Sequence, residues 1–144
     1  MSMNKETIKA EKAIISKVIN DSIGWVATKD KELLYSCFAD DPELFWFSPS
    51  DDGTIYGFKA FVELTENFFM LDEFGHVGFE VRELQINLSQ SGEMAWFHAR
   101  LDDFNTWQGE PANWENVRWT GVLEKRDRRW VIVQMHFSDP SDNK

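Results

Sequence analysis

The residues of this 144-residue chain best suited to chemistry alternate along its last third. His98, Arg100 and Asp102 recur at every second position, as do Arg118 and Thr120, and then Gln134, His136 and Ser138. In extended strands that spacing puts each set on one face. Two imidazoles titrating near neutral pH, two guanidiniums and a carboxylate gathered in one cavity would bind an anionic substrate and move a proton. His98 or His136 would transfer the proton and Arg100 or Arg118 would hold an oxyanion. The intervening positions are Phe97, Ala99 and Leu101, then Trp119, Gly121 and Leu123, then Val133, Met135 and Phe137. That face is apolar throughout and suits packing on helices. If it is the core, the His and Arg residues lie on the outer face and meet solvent or the sheet of a second copy.

The apolar face offers a second kind of site. Ala99 and Gly121 are its small members, and volume missing beside them would leave a pocket lined by Trp46, Trp119, Met135 and Phe137, with Tyr35 as a polar group. Such a pocket would take an apolar or aromatic molecule. Trp and Phe side chains from the helices would fill the same space equally well.

Other constellations carry less. Asp40-Asp41 is a carboxylate pair in which one group could raise the pKa of the other, but adjacent acids before Pro42 also make an ordinary solvated helix stop. His76, His98 and His136 fall on three segments, with one cysteine and no short-spaced ligand pair, so no metal is expected. There is no glycine-rich phosphate loop, nucleophile elbow or dinucleotide fingerprint, and no cofactor is expected.

The elements that must position these residues follow from periodicity. Ile8, Ile15, Val18, Ile19, Ser22 and Val26 recur at three- and four-residue steps, which predicts an amphipathic helix from about Lys5 to Val26, capped by Asn4. Leu33, Leu34, Cys37 and Phe38 predict a second, shorter helix with Asp30 near its start. Glu43 to Ser48 and Thr54 to Tyr56 read as a small hairpin around Pro49-Ser50-Asp51-Asp52-Gly53, and Phe58 to Met70 as a third helix. After Gly75 the period changes to two. Val77, Phe79 and Val81 alternate in one phase and Leu84, Ile86 and Leu88 in the other, which predicts a β-bulge near Arg82-Glu83. Strands follow over Met94 to Trp107, Val117 to Lys125 and Trp130 to Ser138, the last two joined by a polar turn, with a loop at Gln108 to Asn113. The order ααββαββββ predicts an α+β fold in which a bent, mostly antiparallel sheet wraps about three helices as a cone.

Length and composition bound the rest. The chain suits one domain over 1–144, with a core from about 5 to 140 and a polar tail at 141–144. Twenty-five acidic against fifteen basic residues give a net charge of -10, which disfavours nucleic acid and anionic lipid as partners. A single cysteine suits a reducing compartment, so the expectation is cytoplasmic, with neither a signal peptide nor a membrane span. Aromatic residues make up 15%, enough to fill a core or to wall a cavity.

Phe38-Ala39-Asp40-Asp41 after the second helix, Arg118-Trp119-Thr120, and the closing Trp130-Val131-Ile132-Val133-Gln134-Met135-His136-Phe137-Ser138 resemble the SnoaL-like branch of the nuclear transport factor 2-like superfamily. The resemblance runs from about Ile8 to Pro140. It implies a cavity between helices and concave sheet, and homodimers that often pack sheet to sheet. Relatives include ketosteroid isomerase, polyketide cyclases, dehydratases, epoxide hydrolases and the association domain of calcium/calmodulin-dependent kinase II. The isomerase base has no counterpart here, since Phe47-Ser48-Pro49 carries no carboxylate. The functional expectation is therefore binding of a small apolar or aromatic molecule. The alternatives are an acid/base lyase, hydratase, cyclase or isomerase acting on a polyketide-like or steroid-like substrate, and a structural homodimerisation module whose cavity is filled.

Overall fold

Asn4 starts the first helix: its side-chain oxygen accepts from the Thr7 amide at 2.8 Å, supplying a partner that a helix N-terminus otherwise lacks. Helix α1 (Lys5–Gly24) buries Ile15, Ile19 and Ser22, and the Ser22 hydroxyl donates to the Ile19 carbonyl, so the polar member of the stripe is satisfied. Asp30 caps α2 (Lys31–Ser36) by accepting from the Leu33 amide. Helix α3 (Phe58–Leu64) opens after Gly57, whose φ of 90° favours glycine, and widens into a π-turn over Thr65–Phe69. The third helix expected from the sequence is thus one element of two pitches. The computed structural model describes residues 3–141, so most of the expected polar tail lies outside the described residues.

Among the described residues one six-stranded sheet forms from β1 (Phe45–Phe47), β2 (Ile55–Tyr56), β3 (Phe74–Leu88), β4 (Met94–Trp107), β5 (Glu110–Arg126) and β6 (Arg129–Ser138), in the order β2-β1-β6-β5-β4-β3. All neighbours are antiparallel except β1 and β6. The expected final hairpin is present, with Trp119 opposite Phe137 and a turn at Asp127-Arg128 whose φ values are 49° and 66°. Such a mirror-image turn matches the twist of the flanking strands. Gln108-Gly109, with φ of 52° and 82°, makes a second one. It replaces the loop expected at Gln108 to Asn113, because β5 already begins at Glu110 and its first residues read as loop only through being polar and exposed.

Bulges bend the sheet into a cone. The one expected at Arg82-Glu83 is there, with Glu83 at φ 56°. Others lie at Val77, at Glu115-Asn116 and at Val133. Each moves the following residues to the other face. At Val133 the slip puts Ile132, fully buried, into the core position that simple alternation assigns to Val133. The concave face closes over the helices with Phe97, Leu101, Trp119, Leu123, Ile132, Met135 and Phe137 inside, an α+β arrangement whose core is the helix–sheet interface.

Gly121 does not leave room in this core. A Cβ there would stand 2.5 Å from the Phe97 ring and 3.0 Å from the Gln134 carbonyl, so the ring occupies the volume expected to be missing. Gly121→Ala should cost roughly 1–3 kcal/mol by overpacking. Chemical denaturation checks this, and a neutral effect would show that Phe97 moves freely.

Candidate functional site

Strand register assembles the polar constellation and then places it outside. His98, Thr120 and His136 form one cross-strand row, and Arg100, Arg118 and Ser138 the next. Their face is opposite the buried one, and His98, Arg118 and His136 are exposed. The packing of the apolar face on the helices decides this, because burying large aromatic side chains outweighs any benefit of enclosing charges that water already solvates. Several of these groups have local partners, whereas Arg100 Nη1 is shut from solvent without one. His136 packs edge-on against Phe47, and Arg118 donates to the Ser138 hydroxyl at 3.1 Å. Asp102 accepts two bonds from Arg82 and one from the Asn116 amide. The guanidinium and that amide hold its carboxyl below the usual carboxylate range. Asp102 therefore fastens the bulge at Asn116.

Of the expected ligand-contacting side chains, Trp46, Trp119, Met135 and Phe137 lie inside and Tyr35 is half-buried. Trp46 stands beside Met135 across β1 and β6, and Phe137 stacks on Trp119 at 5.4 Å. Trp46 also meets Phe38 and Phe61, and Tyr35 meets Phe61 and Phe58, so these rings pack against one another. Tyr35 stands apart from the Trp119 group. Its hydroxyl donates to Glu66 and it borders an open cleft of about 500 Å³ with Phe38, Phe58, Arg126, Arg129 and Val131. Burial first, and Glu66 second, push the Tyr35 phenol up to about 12. Asp40 and Asp41 do not act as a pair. Asp41 binds Arg126 at 2.8 Å, which lowers its carboxyl, while Asp40 is exposed. Cys37 is buried, donates to the Leu33 carbonyl and is pushed up to about 12 by burial, so its thiol is inert. Among the described residues no group of three or more His, Cys, Asp or Glu could hold a metal, and no helix is long and apolar enough to cross a membrane.

Besides Lys125 of β5, which is bound to Glu11 of α1, the inner face carries on β3 and β4 three polar side chains among the described residues that alternation along the outer face conceals. Asp103 and Asn105 continue the inward phase of Ala99 and Leu101. His76 stands opposite Asn105, and residues directly opposite share a face. Asp103 is flanked in register by Phe79 on one side and Trp114 on the other. Trp114 packs on Phe137 at 4.9 Å, so an aromatic wall runs from Asp103 to Trp119. Burial, partly offset by a hydrogen bond from Asn105, pushes the Asp103 carboxyl up to about 6. On the inner face His76 Nδ1, Asn105 Oδ1 and Trp119 Nε1 are shut from solvent with no hydrogen-bond partner, and Arg100 Nη1 on the outer face is a fourth such atom. Asn105 is 6% exposed and Trp119 fully buried. Buried polar atoms are nearly always paired, so the first three leave unmet hydrogen-bonding capacity on the inner face. Asp103 and Asn105 were legible from the sequence as the continuation of Ala95, Phe97, Ala99 and Leu101. His76 was not, because the bulge at Val77 reverses its phase.

With fold and inner face described, the wider class is clear: this is a nuclear transport factor 2-like fold. Over 95% of this chain and 96% of the other, it matches a nuclear transport factor 2-like superfamily protein from Salmonella enterica serovar Typhimurium, with a TM-score of 0.73 and 19% identity. A type 2 hexachlorocyclohexane dehydrochlorinase matches over 93% and 88%, with a TM-score of 0.75 and 16% identity. The association domain of C. elegans CaMKII matches over 94% and 100%, with a TM-score of 0.69 and 19% identity. Within that class the chain belongs to the SnoaL-like domain family, whose pattern matches residues 15–142. No curated protein matches the sequence. Likeness at these identities carries the fold and leaves the site to be argued from its own residues.

Proposed function

We propose that the protein binds a small, largely apolar molecule against the concave face of the sheet, with Trp119 and Phe137 as walls and Trp46, Met135 and Tyr35 supporting them from the adjoining core. The observation that carries this is the buried indole N–H of Trp119, without a partner and facing the same interior as the unpartnered Asn105 Oδ1. A ligand carbonyl or hydroxyl would accept from the indole, which a core built only for stability gains nothing by leaving unpaired. Of the titratable side chains, Asp103 and His76 rather than His98 and His136 occupy the side on which acid/base chemistry would occur. No catalytic step is assigned. The single unpaired, buried Cys37 favours a cytoplasmic setting.

A panel of uncharged bicyclic aromatics titrated against tryptophan fluorescence tests the reading. Trp119→Phe keeps the stack on Phe137 and removes the N–H, and should weaken binding about tenfold. If no compound binds, or if Trp119→Phe binds the best of them as tightly as the parent chain, the site is not there.

A homodimer through the outer face is favoured by Trp96, 48% exposed near the start of β4, beside the exposed His98, Thr120 and His136. Light scattering should give a dimer that Trp96→Glu reduces to a monomer. A parent chain that stays monomeric at about 100 μM, a concentration at which even a micromolar dimer is formed, would rule it out.

A further inference from the structure

We infer that the concave-face site recognises an organic cation, an amine or other N–H-bearing positive group on an aromatic or apolar body, with its charge seated between Asp103, Phe79 and Trp114. This rests on the proposal that the face binds a ligand at all, and goes on to say of what charge.

The argument begins with what surrounds Asp103. Its cross-strand neighbours on the same face are Phe79 and Trp114, so the carboxyl lies between two aromatic side chains. Phe79 is itself fixed, its ring reaching α1 at Gly24, where an added Cβ would stand 2.8 Å away. Apart from burial, only the Asn105 side chain perturbs the carboxyl, and no cation from helix or strand does. The other charged groups at this level face away or lie outside. Glu80 and Asp102 stand opposite each other in register on the outer face, Arg82 is bound to Asp102, and Glu115 is exposed. On the inner side of β3 and β4 the nearest titratable strand group is His76, opposite Asn105 rather than Asp103, while Lys125 at the far end of β5 is bound to Glu11 of α1.

A half-buried carboxylate without a counter-charge is costly, and none of the chain's fifteen basic residues acts on this one. Aromatic faces attract cations and not anions. Asn105 Oδ1, buried and unpartnered, is a second acceptor two residues along the same strand and asks for a further N–H. Two acceptors set among aromatic rings fit an ammonium, which supplies several N–H donors and one positive charge, and they repel carboxylates and phosphates. The net charge of -10 works in the same direction at long range. Bound cation stabilises the ionised carboxyl, so affinity for it rises with pH as Asp103 ionises, near pH 6 in the free protein. An uncharged analogue lacks that dependence.

Calorimetric titration with three indoles of similar shape provides the test: tryptamine, the alcohol tryptophol and the anion indole-3-acetate. At about pH 7.5, tryptamine should bind at least roughly tenfold more tightly than tryptophol, and indole-3-acetate most weakly. The advantage should shrink as the pH is lowered through 6, and Asp103→Asn should abolish it while tryptophol still binds. His76→Gln should retain it. If tryptophol binds as well as tryptamine, or if Asp103→Asn keeps the preference, the cation site is wrong although the concave face binds ligands. If none of the three binds at millimolar concentration, the binding face itself is wrong, and this inference falls with it.

Discussion

Asp103→Asn is expected to make the protein more stable at neutral pH by about 3 kcal/mol, since each unit of pKa shift is worth about 1.4 kcal/mol. The carboxyl stands at about 6 in the folded chain against an ordinary 3.8, so the folded state holds this proton more tightly than the unfolded one. The sign follows from linkage. Asp103 contributes its full stability below pH 3.8, loses it progressively as the pH rises, and has lost it above about 6. Asparagine matches the neutral acid in shape and has no charge to bury. Wild type and variant should therefore be of similar stability near pH 4 and diverge up to pH 7. Asp41, Glu66 and Asp102 have lowered carboxyls and give the opposite slope, stabilising as pH rises. The informative quantity is thus the difference between the two proteins at each pH, measured by urea denaturation. Equal stability across the range, or a less stable variant at pH 7, would mean that Asp103 already has a partner at hand.

The second large effect concerns Trp119, which is fully buried between Phe97 at 5.1 Å and Phe137 at 5.4 Å. Trp119→Ala should cost about 3–5 kcal/mol, the sum of lost apolar burial and the cavity left behind. Both rings would lose a face that no nearby side chain can cover, because Ala99, opposite on β4, is small. Trp119→Phe should cost much less, since it keeps the stack and removes a buried donor that had no partner. The contrast separates the packing role of this residue from its role in binding: thermal unfolding should rank alanine far below phenylalanine, and ligand affinity should already suffer in the phenylalanine variant. If the two are equally unstable, the indole N–H has a structural partner.

Much of the fold was legible in the sequence because period-two alternation is hard to imitate. The phase change between Val81 and Leu84 gave the bulge at Glu83, and the Trp- and Val-rich ends gave the final hairpin. Asn4 and Asp30 could be placed because caps act locally. The site was less legible, for one physical reason. Register slips at Val77, Glu115-Asn116 and Val133 change which face a residue occupies, and the strands there carry no composition that announces a slip. His76 thus moves inward unannounced. Polar residues also stand out against an apolar background, which draws attention to His98, Arg118 and His136, whereas Asp103 is half-buried among the aromatic residues that hide it.

The parallel pairing of β1 with β6 bears on how the chain reaches its fold. From Phe74 onward the strands are joined by short turns, so β3 to β6 can zip together through contacts close in sequence. Trp46 and Met135, by contrast, are about 90 residues apart when they pair, and the bridge between Phe38 and Ile132 spans a similar separation. Closing so long a loop costs entropy before it returns any contact. The four-strand meander should accordingly precede the docking of the N-terminal third, and Trp46, which joins the two parts, reports on the late step.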